Sequence, residues 1–120
     1  MKDEKYRNLA VRTKAYALRV ISLYSVLPKS AVAQVLGRQL LRSATSVGAH
    51  YREAKRGKST ADFISKIEGA LQELDETAYW LELLAESKTG SVAELRGLMN
   101  ETEELISIFV TVVKSAKKSR

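Results

Sequence analysis

The chain has no cysteine, one proline, one histidine and one tryptophan in 120 residues. Each scarcity removes a class of chemistry. Without thiols there is no disulfide, no thiolate zinc site and no cysteine nucleophile, a pattern that fits a reducing compartment and makes cytoplasm the expected location. The lone His50 cannot build the paired carboxylate–histidine sites of di-iron bundles, and no Glu-x-x-His occurs; neither metal nor cofactor is expected. The opening MKDEKYRN is too polar for the apolar heart of an export signal, and no stretch approaches the roughly 18 apolar residues of a membrane span. Neither export nor membrane insertion is expected.

The shortage of breakers is equally informative. Hydrophobic residues make up 45% and charged residues 28%, values of an ordinary folded domain, and one proline with six glycines leaves long uninterrupted runs. Pro28-Lys29-Ser30, Gly57-Lys58-Ser59-Thr60 and Lys88-Thr89-Gly90-Ser91 divide residues 1–120 into four segments of one domain, with helices predicted over about 5–27, 31–56, 60–87 and 91–117. Apolar residues recur at spacings of three and four: Leu9, Tyr16, Val20, Leu23 and Leu27; Leu36, Leu40, Ala44, Val47, Tyr51 and Ala54; Phe63, Ile67, Ala70, Leu74, Thr77, Leu81 and Leu84. Thr60 is the expected N-cap of the third helix. In the fourth segment LISIFVTVV (105–113) has strand-like β-branched content, but it lies between acidic residues 101–104 and a lysine-rich end, the charge order that a helix dipole favours. Four helices with short connections predict an all-α, antiparallel up-down four-helix bundle.

Apolar surface exceeds what one such bundle needs. Leu105, Ile106, Ile108, Phe109, Val110, Val112 and Val113 nearly encircle the fourth helix, and Trp80 and Leu83 fall off the seam of the third. Self-association is the economical reading, with Trp80, Leu83, Ile108 and Val112 as candidate interface residues.

Charge is unevenly placed. Residues 1–58 carry 13 Lys/Arg against 3 Asp/Glu, a balance of +10, whereas residues 59–120 carry 7 against 11, a balance of −4. At about 100° per residue, Arg38, Arg42, Arg52 and Arg56 share one outward arc of the second helix, with only Thr45 and Ala49 between Arg42 and Arg52 on that face. These arginines with Lys55 and Lys58 form a candidate nucleic-acid surface, since guanidinium forks suit phosphates and counterion release supplies salt-dependent affinity. The alternative is a scaffold, in which this basic stripe meets the acidic stripe Glu68, Asp75, Glu82 and Glu86 of a neighbouring subunit or another protein.

LRSATSVGAHYREA at 41–54, KSTADFISKI at 58–67 and ELDETAYWLELL at 73–84 resemble the four-helix-bundle proteins encoded within intervening sequences of bacterial large-subunit ribosomal RNA genes. The likeness covers about residues 9–86 and rests on Ser-Val-Gly-Ala, Tyr-Arg-Glu-Ala, Ser-x-x-Asp-Phe-Ile and Glu-Thr-x-Tyr-Trp-Leu. It implies a homopentameric ring with a basic surface, and kinship with the accessory variability proteins of diversity-generating retroelements, which are thought to bind nucleic acid and a reverse transcriptase. His50 stands where members of that family often carry Asn.

Catalysis is not expected. Some four-helix bundles cleave RNA with an Arg-x4-6-His motif, but seven residues separate Arg42 from His50 and no second histidine can serve. Ser43, Thr45 and Ser46 lack a neighbouring base or oxyanion elbow, so they are helix-packing residues. Tyr51, Tyr79 and Trp80 recur at helical spacing and belong to core or interface rather than to base stacking. No small-molecule substrate is implied. The sequence thus points to a non-enzymatic oligomeric bundle with structured RNA or DNA as its leading partner.

Overall fold

A serine hydroxyl starts three of the four helices. In this computed structural model, which describes residues 8–119, the helices are α1 (Leu9–Ser25), α2 (Ala31–Lys55), α3 (Thr60–Glu86) and α4 (Val92–Ser119). Ser30 Oγ accepts from Ala33 N at 3.2 Å, Ser59 Oγ from Asp62 N at 3.0 Å and Ser91 Oγ from Glu94 N at 3.3 Å, each satisfying a donor that the first turn leaves free. The cap of α3 is therefore Ser59, not Thr60. Its backbone is extended (φ −155°, ψ 166°), whereas Thr60 is already helical. Asp62 reciprocates by accepting the Lys58 amide at 3.4 Å. The expected start of the first helix at residue 5 lies outside the described residues.

Each helix ends where its sequence stops supplying a periodic face. At the end of α3, Lys88 N donates to Ala85 O (3.1 Å) and Thr89 N to Leu84 O (2.8 Å), the paired bonds of a Schellman closure. That closure puts Lys88 at φ 59°, a left-handed position usually given to glycine, and Gly90 follows at φ 100°. The connections span only residues 26–30, 56–59 and 87–91, so successive helices run antiparallel. The bundle measures 48 × 26 × 20 Å. Its α2–α3 seam is the broadest and its α1–α4 seam the narrowest.

The core follows the apolar periodicity closely. Of the seam residues read from the sequence, only Leu36 and Phe63 are half-buried, and Ile64 turns inward beside Phe63. α4 hides most of its apolar circumference inside the chain: Leu105, Ile108, Phe109 and Val113 are buried and Ile106, Val110 and Val112 half-buried. Ile108, expected at a subunit interface, is 6% exposed and belongs to the chain's own core, so that expectation is corrected. Packing against α3, with a narrower contact to α1, absorbs most of this surplus within the chain.

One layer of the core is polar. Tyr16 on α1 and Thr102 on α4 are linked at 2.5 Å, and Ser43 on α2 and Thr77 on α3 at 2.7 Å. Thr102 donates its only hydroxyl proton to Leu98 O (2.7 Å), so Tyr16 is the donor across its seam; Ser43 and Thr77 each also reach a backbone carbonyl, Leu40 O (3.3 Å) and Glu73 O (2.8 Å). Burial pushes the Tyr16 phenol up to about 12. A buried hydroxyl pair off its partner would lose about 1–3 kcal/mol, so this layer fixes the vertical register of the helices.

Candidate nucleic-acid interface

The outer face of α2 is where the basic residues gather, and the structure divides them into one that is neutralised and several that are free. Glu73 and Glu76 lie one turn apart on α3, on the flank that faces α2. Both reach Arg42: Nη2 to Glu76 Oε1 at 2.5 Å and Nη1 to Glu73 Oε1 at 3.4 Å. The hydrogen bond to Glu76 raises the Arg42 pKa further above its usual value. Although its side chain stays 52% exposed, Arg42 is committed to its own chain and separates from the other arginines. Arg38, Arg52, Lys55, Arg56 and Lys58 are exposed and form no ion pair among the described residues. Lys55 Nζ stands 5.8 Å from the centroid of the Tyr51 ring, which orients it without neutralising it.

The small residues between Arg42 and Arg52 do form a groove. It lies between α1 and α2, holds about 650 Å³, and has Ala10, Ala17, Thr45, Gly48 and Ala49 along it, with Val11, Lys14 and Arg52 beside them. Gly48 brings the helices together, because a Cβ there would stand 3.2 Å from Thr13 Oγ1. Lys14 was not a candidate from the sequence. Its signal was available: α1 contains no acidic residue, so any cation on its outer side has no local partner.

His50 sits in the α2–α3 seam. Gly69 makes room for it, with a hypothetical Cβ only 3.1 Å from the imidazole. Nε2 is 3.7 Å from Glu73 Oε2 and Nδ1 3.9 Å from Glu53 Oε1; Lys66 Nζ also lies 3.9 Å from Glu53. Nδ1 is buried with no hydrogen-bond partner among the described residues. Arg42 and His50 thus share Glu73. The guanidinium is engaged and the imidazole is packed against a helix, so the arrangement ties α2 to α3.

Exposed apolar surface lies elsewhere than the sequence suggested. Trp80, Leu83 and Val112 are half-buried, and the indole Nε1 of Trp80 is enclosed without a hydrogen-bond partner among the described residues. The large apolar side chains most open to solvent include Val11, Leu18 and Ile21 on α1, Val32 and Val35 on α2, and Tyr79 on α3. On the outer side of α3, the acidic stripe Glu68, Asp75, Glu82 and Glu86 is exposed, with Glu68 3.5 Å from Lys117 of α4.

No curated protein matches the chain at a significant level. Among solved structures, a protein of unknown function from the S23 ribosomal protein family of Bacteroides thetaiotaomicron is similar, with 35% sequence identity and a TM-score of 0.82 over 88% of this chain and 97% of that one. No helix among the described residues is long and apolar enough to cross a membrane. The family model for 23S rRNA-intervening sequence proteins spans residues 7–111, which takes in all of α1 to α3 and most of α4. On that match and that structural likeness, the chain belongs to the 23S rRNA-intervening sequence protein family.

Proposed function

We propose that the protein is a non-enzymatic, oligomeric bundle that binds nucleic acid through the outer face of α1 and α2, in the cytoplasm. One observation carries the reading: that face offers Lys14, Arg38, Arg52, Lys55 and Arg56, while the only carboxylate on either helix, Glu53, turns toward Lys66 and His50. Clustered cations with no internal partner attract phosphates, and each contact releases counterions. The absence of catalysis rests on His50 being packed into the α2–α3 seam with Glu73, away from the groove between α1 and α2.

Double substitution Arg38→Glu with Arg52→Glu tests it. Retardation of a structured RNA or a DNA duplex on a gel should disappear while the particle keeps its mass in light scattering. If the mass falls instead, the face belongs to a subunit contact.

That second outcome is the rival reading, and exposed Val11, Leu18 and Ile21 beside the basic groove favour it. In a ring the basic face of one subunit would meet exposed Asp75, Glu82 and Glu86 of the next. A pentamer, and a reverse-transcriptase-like protein partner, are the forms that the likeness to accessory variability proteins of diversity-generating retroelements suggests. Light scattering at two salt concentrations measures the first; co-purification with such an enzyme measures the second.

A further inference from the structure

The up-down topology returns the last turn of α4 to the end of the bundle that carries the α2–α3 turn. A cleft of about 400 Å³ there is bordered by Lys55, Lys58 and Thr60 on one side and by Ala116 and Ser119 on the other, over Phe63. Two segments more than fifty positions apart thereby bring cations to one end of the bundle: Lys55, Arg56 and Lys58 at the turn, and Lys114 and Lys118 on the outward side of α4, away from the cleft, all exposed.

Among the described residues, the carboxylates nearest this end are engaged. Asp62 accepts the Lys58 amide, Glu53 faces Lys66 and His50, and Glu68 faces Lys117. Lys114 and Lys118 have no ion-pair partner among the described residues. Lysines also suit the negative end of a helix dipole. That accounts for Lys118, in the last turn of α4, but not for Lys114 one turn earlier.

We propose that the nucleic-acid footprint runs over this end of the bundle, that Lys114 and Lys118 are part of it, and that the ligand is a duplex held by its phosphate backbone. The inference rests on the nucleic-acid reading above and extends it. A duplex fits better than a single strand because single-strand surfaces stack bases on open aromatic rings. Among the described residues no ring at the cleft is open: Tyr51 is buried and Phe63 half-buried, while exposed Tyr79 lies far along α3. The bundle's cross-section of 26 × 20 Å spans roughly six to eight base pairs at about 3.4 Å each, enough phosphates for the five exposed cations.

The test is fluorescence anisotropy with the full chain, a labelled duplex of about two helical turns, and its labelled single strand. Titrations run from about 50 to 200 mM salt. The Lys114→Gln/Lys118→Gln variant should keep its circular dichroism, bind the duplex about one to two orders of magnitude more weakly near 100 mM salt, and flatten the log–log salt slope by about 2. Wild type should prefer the duplex. If this variant binds like wild type while Arg38→Glu/Arg52→Glu loses binding, the end is excluded and the α2 face stands. Preference for the single strand overturns the duplex assignment. No binding by the wild-type chain to either probe overturns both this inference and the function on which it rests.

Discussion

Two seams of the bundle are clamped in the same way and stand in different surroundings. On α4, Glu101 and Glu104 straddle Thr102; Arg12 of α1 takes both carboxylates, and Tyr16 donates to the threonine. On α3, Glu73 and Glu76 precede Thr77; Arg42 of α2 takes both carboxylates, and Ser43 is hydrogen-bonded to the threonine. A Glu-Thr pair under an arginine is thus used twice. The α2–α3 seam is the broadest contact in the bundle and the α1–α4 seam the narrowest. Arg12 is 27% exposed and grips Glu101, itself 17% exposed, through two parallel bonds of 2.7 and 2.8 Å, whereas Arg42 is 52% exposed. Where apolar packing is thin, the polar clamp has more to do, and reduced solvent screening lets it do more.

The sharpest way to break the comparison is to remove each arginine. Arg12→Met leaves Glu101 half-buried with no partner, and the expected loss is about 2–3 kcal/mol in urea unfolding followed by circular dichroism. The hydrogen bond from Arg12 to Glu101 holds the guanidinium pKa above its usual range, so the loss should not vary between neutral and mildly alkaline pH. A loss no larger than that of the matching Arg42 variant would erase the difference between the seams.

Alkali tests the narrow seam a second way. Tyr16 ionises near 10 unfolded and near about 12 folded because burial disfavours the phenolate. The folded state therefore holds the proton more tightly in that window. The stabilisation is complete below pH 10 and is lost as pH rises toward 12, amounting to about 2–3 kcal/mol. Tyr16→Phe should cost about 1–1.5 kcal/mol at neutral pH, the worth of one buried hydrogen bond. The variant lacks the alkaline loss, so the order of stability should reverse near about pH 11. Parallel curves for the two proteins would mean that the hydroxyl is not desolvated. On the broad seam, Ser43→Ala should cost about 1 kcal/mol with no alkaline component, because Thr77 keeps its bond to Glu73 O.

Much of the bundle could be read before any coordinates, for reasons these seams make plain. Pro28, Gly57, Gly90 and three capping serines punctuate the chain locally, so helix limits needed no tertiary information. Residues such as Val20, Leu40, Leu74 and Leu81 are core on periodicity alone. Position around a helix is a coarser signal when neighbours compete for the same side: Phe63 and Ile64 are both apolar, and in the fold Ile64 takes the buried place while Phe63 stays half-buried under the cleft at the end of the bundle. Ile108 looked surplus because one helix was judged against an idealised stripe, while it is buried in the chain's own core. The partner of Arg42 was hidden for another reason. Glu73 and Glu76 were visible as acids, but which flank of α3 faces α2 depends on how the turn at 56–59 sets the helices, and a single helix does not encode that. Arg38, Arg52 and Arg56 stay on the outer face as read, because nothing on α1 competes for them.

The smallest expected effect belongs to Arg42, and it joins the seam comparison to the functional face. Its pairs with Glu73 and Glu76 are solvent-screened, so Arg42→Met should change stability by only about 0–1 kcal/mol, shrinking further as salt is added. His50 stays packed beside Glu73, 3.7 Å away, so the seam remains filled there. In duplex binding, the same variant should leave the salt slope almost unchanged, because a guanidinium already held by two carboxylates of its own chain has few counterions to release. Arg52→Met removes a cation with no such partner, and the slope should fall by about 0.9. Equal slopes for the two variants would mean that Arg42 exchanges its glutamates for phosphate on binding, and the division of α2 into a clamped and a free arginine would then hold only in the unbound protein.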